Sequence, residues 1–364
     1  AEITTLTHGG YYDNFGFWFA DINNPGTAAS LIKAKTTGVF ASVDYSINDQ
    51  MSVTAEVRRQ DDEIDEPKIN LTAPGLSPGT FKATLPRISF ENQLSSNAMA
   101  YLTYSEGNLP GGFNPEVATK LRNAGQIAEF QAQNPGIFEN YGEESLKNYE
   151  LGYKKTALDG RLAYNIALFS MERTDQVYSG FGQITADGIC NAGSEDVVVC
   201  TVNFSGNGQS SDINGFELDG TYLVSENLEI KTSLAYVDAT ISQFPDGAGC
   251  GDIQAVFGDC SRVKGSIAPR YPEWQGSLIA NYETDSNLYI RGELFYNDGY
   301  YDEATNLAEI PSGTEINLRV GKRMENMTAE LYVTNLTDED APLGGNNIAD
   351  TSGYVRFGTY SYNF

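Results

Sequence analysis

The chain is short of the groups that most hydrolytic and redox enzymes depend on. Among 364 residues there is one histidine, His8, and there are four cysteines. A single imidazole leaves His-based catalysis and an ordinary zinc site without donors. The cysteines fall as Cys190 and Cys200, then Cys250 and Cys260, and neither pair is a Cys-x-x-Cys, which argues against zinc or dithiol redox chemistry. Cations are scarce as well: 23 Lys and Arg stand against 49 Asp and Glu, for a net charge of −26. Nucleic acid is excluded as a partner, because phosphate binding needs a basic stripe. No run of 18 apolar residues occurs, so no transmembrane helix is expected. The first residues, Ala1-Glu2-Ile3-Thr4-Thr5, lack the basic and apolar segments of a signal peptide. The sequence is therefore read as mature, or as starting partway through a longer protein.

Aromatic residues and glycine are plentiful. There are 22 Tyr, 18 Phe, 2 Trp and 37 Gly, although only 40% of residues are hydrophobic. So many aromatics disfavour a disordered acidic chain, and so little apolar content disfavours a bundle of membrane helices. The length allows two or three ordinary domains or one large β-barrel. Both cysteine pairs sit in segments rich in Gly, Asp and Asn, where two local disulfides, Cys190–Cys200 and Cys250–Cys260, are the simplest reading. They imply an oxidising compartment. Cross-pairing and four free thiols are the opposing readings.

The apolar period is two. Leu162, Tyr164, Ile166 and Leu168 alternate with polar or small residues, as do Phe216, Leu218, Tyr222 and Val224 against Glu217, Asp219 and Thr221. Leu228, Ile230, Leu234 and Tyr236 stand against Glu229, Lys231 and Ser233. Leu288, Ile290, Leu294 and Tyr296 stand against Arg291 and Glu293, and Ile316, Leu318 and Val320 against Glu315, Asn317 and Arg319. Such alternation marks strands with one apolar and one polar face.

The connections alternate too. Short polar ones lie at 48–50, 95–97, 158–160, 225–227, 284–287 and 324–326, with long ones near 62–81, 108–145, 176–211, 245–269, 301–312 and 337–352. In an antiparallel meander all tight turns then fall at one end and all long loops at the other, the pattern of an outer-membrane barrel. The fold class expected is all-β: a transmembrane antiparallel β-barrel of up-and-down topology. Thirteen strands are counted from Gly38 to Phe364, with a fourteenth in Gly9–Ala20. The last strand, with Tyr360, Tyr362 and Phe364 on one face, resembles the assembly signal of bacterial outer-membrane proteins.

Several segments carry a family resemblance. They include Val39–Tyr45, Met51–Arg58, Ala100–Gly107 leading into Pro110-Gly111-Gly112-Phe113-Asn114, Tyr149–Lys154, Ile213–Leu218 and Glu330–Asp338. In order and spacing they resemble the C-terminal part of a TonB-dependent outer-membrane receptor. The resemblance implies a barrel of about 22 strands around an N-terminal plug. It also implies import of a scarce ligand, such as a ferric siderophore or other metal chelate, with energy from the TonB complex. Residues 1–364 are then the C-terminal portion of the barrel domain, with the plug outside this sequence. Implied partners are outer-membrane lipid, lipopolysaccharide, the TonB complex and a small-molecule ligand. The location implied is the bacterial outer membrane. The alternative is a passive porin or diffusion channel of about 14 strands that closes on itself.

No enzyme is expected, because no nucleophile–base set is present and no cofactor is called for. Glu150, Lys154, Glu217, Asp219, Lys231, Arg291, Glu293 and Arg319 are candidates to face the lumen, with Glu229, Glu315 and Glu330 beside them. Most are expected to form cross-strand ladders. The run from Asp61 to Glu66, with Asp61, Asp62 and Asp65, is a weak calcium candidate that lacks EF-hand spacing. Gly111-Gly112 reads as a plain turn, with approach of the backbone to a ligand as the alternative. Val117, Leu121, Ala124 and Ala128 read as a short loop helix.

Overall fold

The computed structural model describes residues 10–12, 18–20, 33–65, 79–114, 117, 126–134, 136–186, 198–244, 263–304, 306, 309–340, 344–349 and 355–360. For 10–12, 18–20, 33, 65, 133, 180–186, 198–201, 344–349 and 355–360, the backbone alone is described. Twelve strands form one antiparallel sheet in which every strand pairs with its sequence neighbours. They are β1 (Lys33–Ser46), β2 (Met51–Asp65), β3 (Gly79–Ser95), β4 (Ala98–Leu109), β5 (Glu144–Ala157) and β6 (Leu162–Ala186). The other six are β7 (Val198–Leu223), β8 (Leu228–Gln243), β9 (Trp274–Glu283), β10 (Leu288–Asn297), β11 (Gly313–Arg323) and β12 (Thr328–Val333). One short helix, α1 (Ile127–Gln133), lies between β4 and β5.

The register joins the alternating residues into one apolar face. A single row crosses nine strands as Tyr45, Val53, Phe90, Leu102, Leu151, Leu168, Phe216, Tyr236 and Trp274. Leu162, Tyr164, Ile166 and Leu218 lie on that face, as do Leu288, Ile290, Ile316 and Leu318 farther along the sheet. Near its loop end Phe216, Tyr236 and Trp274 pack ring on ring at 4.8–5.9 Å.

All six expected short turns are present, each tied by local groups. Asn48 Oδ1 accepts the backbone N–H of Gln50 and Met51 at 2.8 and 2.9 Å, an Asx turn. Ser225 Oγ accepts from Leu228 N–H at 3.1 Å, and Thr284 Oγ1 from Leu288 N–H at 3.1 Å. Between β5 and β6, Leu158, Asp159 and Gly160 all take positive φ.

The strands run farther toward the loop end than the sequence pattern suggested. β6 has 25 residues and β7 has 26, whereas a tilted membrane strand needs about 9–11. Most of the stretch expected as a loop at 176–211 is therefore a β-hairpin. Register shifts near Arg173–Tyr178 and Ser210–Ser211 break the sequence period without ending the pairing. β2 likewise continues through Asp65, so the acidic run ends a strand instead of opening a loop.

The strand count also changes. Gly9–Ala20 is not one continuous strand among the described residues: Gly10–Tyr12 pairs antiparallel with Trp18–Ala20. Val355–Tyr360 pairs with Gly344–Ala349 as a separate hairpin, and among the described residues it makes no ladder with Gly10–Ala20 or β1. β1 and β12 therefore have one neighbour each, and their side chains show it: Phe40 is 80% and Leu331 81% exposed, against 37% for Ile166 in the middle of the sheet.

Candidate functional site

The opposite face of the sheet is polar, and the register gathers the charged candidates there. Glu150, Lys154, Glu217, Asp219, Lys231, Arg291, Glu293 and Arg319 share that face, and so do Glu229, Glu315 and Glu330. One row runs Glu229, Asn281, Arg291, Arg319 and Tyr332 across five strands. The cations of this face are held by neighbours. Lys231 Nζ lies 3.0 Å from Glu229, Arg291 2.6 Å from Glu293, Arg319 3.2 Å from Glu330, and Arg87 3.0 Å from Glu56. Ser89 and Thr103, both buried, share a hydroxyl hydrogen bond of 2.7 Å. Arg319–Glu330 and Arg87–Glu56 bridge neighbouring strands, whereas Lys231–Glu229 and Arg291–Glu293 each join two residues of one strand; these ion pairs are part-exposed, so each is worth at most about 1 kcal/mol.

Two of the groupings repeat one design. Tyr101 sits opposite Gly152, and a Cβ there would fall 2.0 Å from its ring. The Tyr101 hydroxyl donates to Glu150 at 2.6 Å, and Lys154 Nζ stands 5.3 Å over the ring. On β10 and β11, Tyr289 lies over Gly321 in the same way, donates to Glu330, and carries the Arg323 guanidinium 4.6 Å above it. Only a glycine lets a ring lie this close to the sheet. The ring in turn covers the backbone that the glycine exposes. A recess of about 400 Å³ opens beside the first grouping, lined by Arg87, Glu91, Met99, Tyr101, Glu150 and Lys154.

Toward the loop end the same face turns apolar and is covered by chain folded back onto it. Ile213, Ala239 and Ile241 pack with Val263 and Ala268, joined by Phe169, Met171 and Phe244. Residues 263–268 are held edge-on to β8, with Gly265 N–H donating to the Ile241 carbonyl and Ala268 N–H to that of Ala239, both at 2.8 Å. A second cluster of Val117, Phe130, Ile137, Val202 and Phe204 joins α1 and its flanks to the β6–β7 hairpin. Tyr178 touches both clusters, with ring centroids 6.2 Å from Phe204 and 5.6 Å from Phe244. Burial pushes its hydroxyl up to about 12. Between the clusters, Arg173 Nε donates to Glu144, whose other oxygen accepts Val177 N–H at 3.1 Å. Burial alone would lower the Arg173 pKa; the bond and charge of Glu144 outweigh it and hold it above the ordinary arginine value.

Among the described residues the acidic run gathers no cluster that could hold a metal ion. Asp61 and Asp62 point to opposite faces of β2. Asp61 lies 3.7 Å from both Arg59 and Lys82, and Asp62 is buried and accepts from Thr36 Oγ1 at 2.7 Å and Gln60 Nε2 at 2.8 Å. The side chain of Asp65 lies outside the described residues, as do Cys190, Cys250 and Cys260. Cys200 is described only as a backbone partner of Ile184, and no disulfide is seen among the described residues.

Gly111 and Gly112 are close approaches to the protein's own chain. A Cβ on Gly111 would fall 2.3 Å from the Tyr141 carbonyl oxygen, and one on Gly112 2.3 Å from the Tyr141 hydroxyl. The loop helix exists, as Ile127–Gln133, with Val117 fully buried nearby; Leu121 and Ala124 lie outside the described residues. The sequence reading missed Asn114, Asn207 and the Glu144–Arg173 pair. For Asn114 there was a signal, since it closes the Pro110–Asn114 motif; the others sit in polar segments that look like ordinary loop.

Comparison with known proteins places this architecture. A model of the family described as TonB dependent receptor-like, beta-barrel, matches residues 2–336. Among solved structures, the siderophore receptor PiuA from Acinetobacter baumannii is similar with a TM-score of 0.64 at 15% identity, over 92% of this chain and 47% of that one. The ferric yersiniabactin uptake receptor FyuA from Yersinia pestis gives 0.62 at 14%, over 87% and 43%. The ferric-catecholate import receptor Fiu from Escherichia coli K12 gives 0.59 at 16%, over 98% and 48%. At these identities the likeness is one of fold, and the chain spans under half of each of these structures.

Proposed function

The chain belongs to the TonB-dependent receptor family, whose members are transport receptors of the bacterial outer membrane, and from that premise we propose that it forms the C-terminal portion of a barrel that imports a scarce ligand, such as a ferric siderophore or another metal chelate. The apolar face meets lipid, and the polar face, with Glu150, Lys154, Glu217, Asp219, Lys231, Arg291, Glu293 and Arg319, lines the lumen. Energy arrives from the TonB complex through a plug carried outside this sequence. The remaining strands of a barrel of about 22 pair with the open sides of β1 and the C-terminal hairpin. Cys190–Cys200 and Cys250–Cys260 close loops at the extracellular end. The single observation that carries the reading is the two-faced meander with every tight turn at one end, its open edges laid bare at Phe40 and Leu331.

Uptake of ferric chelates by iron-starved cells, with and without the receptor gene and with and without TonB, tests the proposal. The expected result is accumulation that needs both. Solute flux through the purified protein in vesicles, independent of TonB, would replace it with the passive-channel reading.

A further inference from the structure

We propose that the described parts of the β4–β5 connection, Gly111–Asn114, Ile127–Asn134 and Gly136–Gly142, and the upper half of the β6–β7 hairpin form one preassembled body at the barrel mouth, pinned by Asn114 and Asn207. It stands on the geometry of the loop end and not on which ligand is taken up.

A segment that opens and shuts over a barrel is drawn from parts with few buried apolar contacts and solvated hydrogen bonds. This one has the opposite character. Val117, Phe130, Ile137 and Val202 are each at most 1% exposed, and they come from both partners. Asn114 is 2% exposed and works as a substitute strand. Its Nδ2 donates to the carbonyls of Phe138 at 2.9 Å and Ser205 at 2.7 Å, its Oδ1 accepts from Ser205 N–H at 2.7 Å, and its own N–H donates to Glu139 at 2.8 Å. The amide so joins the backbone at Phe138–Glu139 to the backbone at Ser205. Asn207 repeats the device from the other side. Its Oδ1 accepts from Gly142 N–H at 2.5 Å, and its Nδ2 donates to the carbonyls of Gly142 at 3.1 Å and Asp175 at 2.7 Å. Parting the two segments would strip partners at once from the part-buried backbone groups that Asn114 holds at Phe138 and Ser205 and from the exposed ones that Asn207 holds at Gly142 and Asp175. Tyr178 and Phe244 then fasten this body to the apolar cluster on the polar face of the sheet.

Hydrogen exchange on the full-length receptor in lipid nanodiscs tests this, with barrel folding verified by heat-modifiable gel mobility. Asn114→Ala should raise exchange by on the order of tenfold, the loss expected for a buried hydrogen-bonding partner, both at 202–207 and at 137–142 together. Asn207→Ser should raise the same two stretches in concert, and it serves alone if Asn114→Ala does not fold. Asn114→Asp keeps the acceptor toward Ser205 N–H but sets a buried carboxylate against the Phe138 and Ser205 carbonyls, and should raise exchange at least as much as Asn114→Ala. Faster exchange confined to 126–142 with 202–207 unmoved, or no change on either side, would overturn the proposal.

Discussion

The β6–β7 hairpin is two structures end to end, and they obey different rules. In its lower half, from Leu162 to Ser170 and from Asn214 to Tyr222, side chains alternate cleanly and one face stays open to its surroundings, with Leu168 52% exposed. In its upper half, bulges interrupt the register, and Val202 and Phe204 are buried under chain from 90 residues or so earlier. The lower half is organised by what surrounds it, apolar on one side and polar on the other. The upper half carries a small core of its own, as a water-soluble domain does. One continuous ladder can serve both, because pairing needs only backbone while the faces answer to the solvent.

The largest effects should come from confusing the two. Leu218→Arg puts a charge at the middle of the apolar face and should cost about 2–4 kcal/mol, whereas Asn214→Arg, two positions nearer the loop end on the same face, should cost about 0–1. Urea titration of refolding into vesicles measures both, and equal losses would erase the division. Glu144→Ala strips Arg173 and Val177 N–H of their acceptor. It should cost about 1–3 kcal/mol, read as faster exchange at 173–178 while Leu162–Ser170 stays unchanged.

A glycine pair sharpens the contrast. Gly111→Ala meets the Tyr141 carbonyl at 2.3 Å and should destabilise by about 1–3 kcal/mol. Gly292→Ala, with nothing within 4 Å, should stay within about ±0.5 kcal/mol. The smallest effect is one of pH. The Tyr178 hydroxyl titrates near 12 in the folded protein against an ordinary value of 10. Its contribution is therefore whole below pH 10 and is lost as pH rises toward 12, because the unfolded chain ionises first. Alkaline unfolding of the wild type and Tyr178→Phe, followed by tyrosinate absorbance, should show that term missing in the variant.

The sequence made the lower half readable for a plain reason. A side-chain period of two records which face meets apolar surroundings, and short polar turns such as Asn48–Gln50 record where the chain reverses. The sharing of one face by Glu217, Lys231, Arg291 and Arg319 follows from the same period. What stayed hidden has no period. Asn114 reaches Ser205 across 91 positions, and an asparagine in a Gly-rich stretch looks the same whether it caps a turn or joins two loops. The hairpin at 176–211 was hidden because Ser179-Gly180 and Ser205-Gly206-Asn207-Gly208 spell loop composition while the backbone keeps pairing. Gly152 and Gly321 lie inside strands, and only the register shows Tyr101 and Tyr289 lying across them.

Those recumbent tyrosines bear on traffic. A ring laid flat on a glycine, its hydroxyl tied to Glu150 or Glu330 and a cation parked on its upper side, presents no protruding hook. With Arg87, Lys231, Arg291 and Arg319 each occupied by a carboxylate of the same surface, an anion meeting it would find those four cations already paired. Transit through a protein depends on sites weak enough to be left as well as entered. If this face lines the lumen of the transport barrel proposed above, its surface would guide a passenger without detaining it and leave selectivity to the mouth.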